Sequence, residues 1–190
     1  MEQSLEWATV AGIGPGLSTS PQAAGFLKEL LACWKGPLVI DADGLNRLAE
    51  DKELLKNTEA KVIVTPHPGE MARLTGKSVA EILQRFSETA VEFAREYQVI
   101  CVLKDARTVV TDGTQLYINS SGNPGMAGGG SGDVLTGVIC GLLAQGMAPM
   151  EAACLGVYLH GAAGDRAVEK FGYYGMMSGD MAECLGDVLK

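Results

Sequence analysis

Thr9-Val-Ala-Gly-Ile13 and Pro37-Leu-Val-Ile-Asp41 bracket a segment from Ser20 to Cys33 in which Phe26, Leu27, Leu30 and Leu31 recur at helical spacing. Two short apolar runs around an amphipathic helix form a βαβ unit, whose strands run parallel and are buried on both faces. The same rhythm continues outward. Lys61-Val-Ile-Val-Thr65 is the next strand. A Pro-His-Pro-Gly turn follows, then a helical stretch from Ser78 to about Tyr97 in which Ser78 and Glu81 have capping-box spacing. Val99 to Leu103, Thr108 to Thr111 and Gln115 to Asn119 are closely spaced β runs, the last two joined by Asp112-Gly113, a pair that favours a tight hairpin. From Ser131 the chain turns helical, over Val134 to Leu143, Pro149 to about Lys170 and Asp180 to Leu189. This order predicts an α/β fold around a mostly parallel sheet.

The chain has 190 residues, 47% of them hydrophobic and 20% charged, which suits one substantial core and a single domain over residues 1–190. Fifteen Lys and Arg face 23 Asp and Glu, for a formal net charge of -8. No basic run is present to overcome that charge, so no nucleic-acid partner is expected. Cys33, Cys101, Cys140, Cys154 and Cys184 form no Cys-x-x-Cys pair and read as reduced thiols of a cytoplasmic protein. Met1 to Trp7 contain Glu2 and Glu6 and neither a basic leader nor a long apolar stretch, so neither a signal peptide nor a membrane anchor is expected.

The stretch richest in chemistry is Asn123-Pro-Gly-Met-Ala-Gly-Gly-Gly-Ser-Gly-Asp133, directly before the apolar helix that starts at Val134. Gly128, Gly129, Gly130, Ser131 and Gly132 let backbone N–H groups face a common point, and the helix adds unpaired N–H groups and the positive end of its dipole. That combination is an anion cradle. No Gly-Lys-Ser/Thr follows, and the spacing does not fit Gly-x-Gly-x-x-Gly, so neither a Walker A loop nor a dinucleotide fingerprint is indicated. Asp133 either caps the helix or, beside a bound phosphate, takes a proton from an attacking hydroxyl.

Other polar groups follow predicted strands, where open α/β sheets place their ligands. In Val64-Thr-Pro-His-Pro-Gly-Glu70, His67 is suited to hydrogen-bond a substrate and Glu70 to support a metal or its water; a rigid turn explains both equally well. Asp41, Asp43 and Asn46 suit polar substrate atoms or a hydrated Mg²⁺, or else cap a helix. Gly12-Ile-Gly-Pro-Gly-Leu17 allows close ligand approach at Gly16. Lys104 could neutralise a phosphate, or sit in a surface turn. His160, inside a helical segment, is assigned to packing or helix-surface polarity.

In this order, Gly14-Pro-Gly-Leu17, Asp41-Ala-Asp43 with Asn46, Thr65-Pro-His-Pro-Gly-Glu70, Lys104 with Thr108, and Asn123-Pro-Gly-Met-Ala with Gly132-Asp133 resemble the NAD(P)H-hydrate dehydratase family. Gly141 to Gly146, His160-Gly-Ala-Ala-Gly-Asp165 and Ser178-Gly-Asp180 extend the likeness over nearly the whole chain. The resemblance implies a ribokinase-like three-layer α/β/α sandwich. It further implies dehydration of the S form of hydrated NADH or NADPH, with ADP or ATP as cosubstrate and AMP and phosphate as products in the ADP case. Asp133 would be the base. Lys104, Asp105, Ala106, Arg107, Thr108 and Gly132 would line the nucleotide; Gly16, Asp41, Asn46, His67 and Asp133 would face the substrate; and Mg²⁺ would bridge the phosphates. A homotetramer or larger homo-oligomer is implied, as is the lack of an N-terminal portion of the domain that typical relatives carry.

Two positions depart from the usual family pattern. Ser131 stands where Thr is common, which keeps a hydroxyl, and Asp105 stands where Gly is common, which sets a negative side chain beside the expected phosphate. Two rival functions use the same cradle: a kinase of a small hydroxymethyl compound, and a nucleotide-binding module without turnover.

Overall fold

The computed structural model describes residues 5–189. Residues 1–4, part of the stretch read for a leader, and residue 190 lie outside that description. One six-stranded sheet runs through the middle, with strands in chain order: β1 (Ala11–Ile13), β2 (Pro37–Ile40), β3 (Lys61–Val64), β4 (Ile100–Leu103), β5 (Val109–Thr111) and β6 (Leu116–Ile118). Neighbours among β1 to β4 are parallel, while β4–β5 and β5–β6 are antiparallel.

Between the parallel strands run α1 (Pro21–Cys33), α2 (Ala42–Leu48), α3 (Pro68–Thr75), α4 (Val79–Gln84) and α5 (Phe86–Tyr97). Parallel crossovers that always step the same way around a sheet stack their helices on one face. Leu38, Ile40, Val62, Val64, Cys101 and Leu103 meet that layer, packing with Leu27, Leu31, Leu45, Met71 and Phe93. The alternate residues Val39, Ile63, Val102 and Val110 point the other way, against α6 (Ser131–Ala144) and α7 (Pro149–Gly175). α8 (Ser178–Val188) adds Leu185 and Val188 to that second layer. The period-two side-chain alternation of a strand thus feeds both faces, and the result is the expected three-layer α/β/α sandwich.

Three expectations are corrected in detail. The stretch from Ser78 to Tyr97 is two helices, because Arg85 adopts φ -122 and ψ 46, outside the helical region. The β5–β6 connection is a four-residue loop, not a two-residue Asp-Gly turn. Asp112 Oδ1 holds it by accepting from Thr114 N, Thr114 Oγ1 and Gln115 N, a local side-chain turn that competes with the tighter one. The helix that follows Pro149 extends to Gly175 with a break at Gly172, whose φ of 72 and ψ of 167 are not helical.

The carboxyl ends of the parallel strands are stitched together by backbone. Asp41 N donates to Ile13 O, Thr65 N to Ile40 O, and Lys104 N to Pro66 O at 2.8 Å. Gly14 is obligatory in this edge: its φ is +128, and a Cβ there would stand 1.7 Å from the Asp41 carbonyl oxygen. Gly14→Ala is expected to destabilise the fold by at least about 3 kcal/mol, from backbone strain plus a clash that neither partner can relieve. Thermal unfolding followed by circular dichroism checks this, with a melting temperature lower by roughly 6–12 °C; an unchanged melting temperature refutes the constraint.

Candidate functional site

Polar groups from after β2 and β4 and from α6 meet at the stitched edge. Asp41, 1% exposed, lies at the centre. Its Oδ1 accepts from Lys104 Nζ at 2.7 Å, and its Oδ2 accepts from Thr136 Oγ1 at 3.1 Å. Lys104 is carried by the strand end that donates to Pro66, and Thr136 by the second turn of α6, so one carboxylate ties β2, β4 and α6. The first turn of α6 lands on the same spot. A Cβ on Gly132 would stand 3.2 Å from both Asp41 Oδ2 and Lys104 Nζ. The Gly-rich turn and the lysine, 28 residues apart in sequence, are therefore adjacent, with the N–H groups of α6 and a cation serving one place.

Gly130 is the N-cap of α6 in the left-handed region, at φ 86, and no side chain among the described residues caps the helix. Asp133 therefore does not act as the cap. It is exposed, and among the described residues no hydrogen bond or ion pair engages its carboxylate, so both oxygens are open to a ligand. A half-open cavity of about 200 Å³ adjoins the turn, lined by Gly128 and Gly129 and by Met126, Met176, Met177 and Met181.

The second constellation divides. His67 caps α3: its Nδ1 accepts from Gly69 N at 3.0 Å, while Glu70 Oε2 accepts from His67 N at 2.8 Å. Half of the His67 side chain stays exposed, and its Nε2 lies 3.5 Å from Glu70 Oε1. Glu70 is buried. Desolvation raises its pKa above the ordinary carboxylate value, opposed by the His67 backbone hydrogen bond and by the Lys104 and His67 charges. Among the described residues no three metal-ligating side chains converge.

Asn46 bonds within its own turn and to α3. Its Nδ2 donates to Asp43 Oδ1, its Oδ1 accepts from Arg73 Nη1 at 2.9 Å, and Asp43 Oδ2 accepts from Ser18 N. This chain of bonds holds the turn that contains Gly16, where φ is +68 and the space around a Cβ is open. Asp105 folds back on its own turn, its Oδ1 accepting from Ala106 N at 2.8 Å, while Thr108 Oγ1 donates to the Asp105 carbonyl. Ala106 and Arg107 are exposed.

Two residues that meet groups of the site were not assigned to it by sequence: Thr136 and His160. His160 is buried, with Nε2 3.3 Å from Ser131 Oγ at the start of α6. Burial pushes its pKa down to about 4, helped by the nearby Lys104 charge and opposed by hydrogen bonding to the Ser131 backbone. Spacing offered a signal, since Gly161 and Gly164 weaken a helix interior unless another segment approaches closely.

A sequence model of the NAD(P)H-hydrate dehydratase family matches residues 1–186. The bifunctional NAD(P)H-hydrate repair enzyme Nnr of Moorella thermoacetica is 52% identical over 190 residues, covering 99% of this chain and 36% of that protein. The ADP-dependent (S)-NAD(P)H-hydrate dehydratase of Neisseria meningitidis is 41% identical, over 93% of this chain and 60% of that one. The chain thus spans about a third of the Moorella relative and three fifths of the Neisseria one. Among solved structures, the ADP/ATP-dependent NAD(P)H-hydrate dehydratase of Bacillus subtilis, co-crystallised with ATP/Mg²⁺, superposes with a TM-score of 0.87 at 32% identity, covering 95% of this chain and 64% of that one.

Two outcomes follow from the site's electrostatics. Lys104→Met leaves the buried Asp41 carboxylate without its ammonium and is expected to cost about 2–4 kcal/mol in denaturant unfolding, below the full buried-pair value because part of the lysine reaches water. Adding Asp41→Asn to that variant should restore part of the loss. His160 titrates with the opposite sign to a buried acid: its folded pKa of about 4 lies below the ordinary 6.5, so its stability contribution is present above pH 6.5 and is lost as pH falls toward 4. Relative to His160→Gln, the wild-type chain should lose roughly 1.4 kcal/mol between pH 7.5 and 5.5, a range that stays above the sequence pI of 4.8. A constant difference across that range would show that His160 is not kept neutral.

Proposed function

The chain belongs to the NAD(P)H-hydrate dehydratase family, and from that membership we propose that it restores NADH and NADPH from the S forms of their hydrates, with ADP as phosphate donor and AMP and phosphate as products. The observation that carries the reading is the meeting of Gly132, Lys104 and Asp41 at the start of α6, beside an Asp133 carboxylate that no described residue engages.

The donor's terminal phosphate sits over the N-terminus of α6, where backbone N–H groups and the helix dipole accept negative charge. Lys104 stands next to that place and shares its charge between Asp41 and the phosphate. The methionine-lined cavity offers polarisable apolar surface to the adenine, and the turn from Lys104 to Thr108 borders the rest of the nucleotide. Gly16, Asp41, Asn46 and His67 form the substrate side. His67 has its Nδ1 occupied by its cap bond, so it offers Nε2.

The substrate hydroxyl attacks the terminal phosphorus as Asp133 accepts its proton, AMP departs, and the new carbon–oxygen–phosphorus ester forms. Phosphate then leaves with the electron pair of the carbon–oxygen bond, and the neighbouring ring carbon gives its proton to water as the double bond forms. Because no three ligating side chains converge among the described residues, Mg²⁺ would be held chiefly by donor phosphates and water, with Glu70 able to hold one such water. It would neutralise phosphate charge. We further propose a cytoplasmic homo-oligomer, a tetramer by family likeness.

Mixing the purified chain with the S form of NADH hydrate, Mg²⁺ and ADP or ATP should regenerate NADH absorbance, and Asp133→Asn should lower the rate at least about 100-fold. A stable phosphate ester in place of NADH identifies a kinase of a hydroxylated substrate. Nucleotide binding without either product identifies a binding module.

A further inference from the structure

One face of α7 is shaped to the chain segment that leads into the cradle. Asp165 Oδ2 accepts from Gly122 N, and its Oδ1 accepts from Asn123 Nδ2, both at 2.9 Å. Ser121 Oγ donates to the Tyr158 carbonyl at 2.8 Å. The approach is so close at Gly161 that a Cβ there would stand 2.2 Å from Ser121 Oγ. At the other end of the segment, His160 Nε2 lies 3.3 Å from Ser131 Oγ, the residue that opens α6 and directly precedes Gly132.

His160 is out of place as mere packing. Its neighbours along α7, Val157, Leu159 and Ala163, are apolar and buried, and burying an imidazole among them costs desolvation that a leucine of similar size would avoid. What the ring adds is a directed polar contact to Ser131. Gly128 to Gly130 supply no side chains of their own, and among the described residues the one side chain of the first turn of α6 with a hydrogen-bond partner is Ser131.

We propose that His160 is a positioning residue for the phosphate cradle: through Ser131 it holds the first turn of α6 so that its N–H groups and the Asp133 carboxylate meet the donor phosphate in one arrangement. Asp165 pins the opposite end of the same segment, making α7 the template on which the Gly-rich turn is laid. A site whose donors are held before the ligand arrives spends less binding free energy on ordering them. The inference rests on the nucleotide reading of the cradle.

The test is calorimetric titration of Mg²⁺–ADP into the full chain and into His160→Leu, His160→Gln, Ser131→Ala and the His160→Leu/Ser131→Ala double variant, at a temperature where circular dichroism shows each to be folded. Loss of one hydrogen bond predicts about three- to tenfold weaker binding for His160→Leu. Ser131→Ala should match it, the double variant should be no weaker than either single, and His160→Gln, whose amide can reach Ser131, should recover most of the affinity. A purely structural role would lower the melting temperature and leave the affinity of the folded protein unchanged; that result overturns the proposal, as do single effects that multiply in the double variant. NADH recovery is read on the same samples. A wild-type chain that shows the coupled binding pattern but restores no NADH removes the dehydratase reading and leaves His160's role standing, whereas one that binds no ADP removes both.

Discussion

The Asp41 carboxylate is the tie on which the arrangement of this molecule depends. It is buried at the end of β2, yet it is satisfied on both oxygens by partners from elsewhere in the chain, Lys104 after β4 and Thr136 in α6. A buried carboxylate is tolerable only when paired in this way. The requirement couples the spacing of the parallel strands to the seating of α6, and it sets the start of that helix where the glycines can bring backbone donors against a lysine.

That coupling also accounts for a site in a sheet without a reversal in strand order. Ligands in open α/β sheets bind beyond the carboxyl ends of strands, usually where successive crossovers diverge to opposite faces. Here β1 to β6 follow one another in order, and the crossover helices α1 to α5 share one face. The divergence comes later, when the chain leaves β6 and returns on the opposite face as α6. The Gly-rich turn is the point of return, so the crevice is built from strand ends on one side and a helix start on the other.

Much of this was legible in sequence because it is local. The apolar runs of β2, β3 and β4 and the helical spacing in α1 follow from backbone periodicity, and Gly128 to Asp133 before an apolar helix follows from the N–H groups a helix start leaves unpaired. What was illegible was decided by competition between local choices. Arg85 breaks a helix that periodicity would continue, and Asp112 captures three donors that would otherwise allow a tighter turn. Sequence left His67 open between a substrate contact and a rigid turn, and a capping bond from Gly69 takes one of its two ring nitrogens.

The sequence by itself determined the alternation of strands and helices, the mostly parallel sheet and the chemical types gathered at its carboxyl edge, because strand and helix periods and the needs of a helix terminus are properties of short segments; the three layers came from the family resemblance. Only the tertiary structure decided which of those groups touch: that Lys104 pairs with Asp41, that Asp133 stays open, and that His160 belongs to the cradle through Ser131. Pairing across 29, 63 or 95 residues depends on how whole layers settle against one another, and no local pattern encodes that distance.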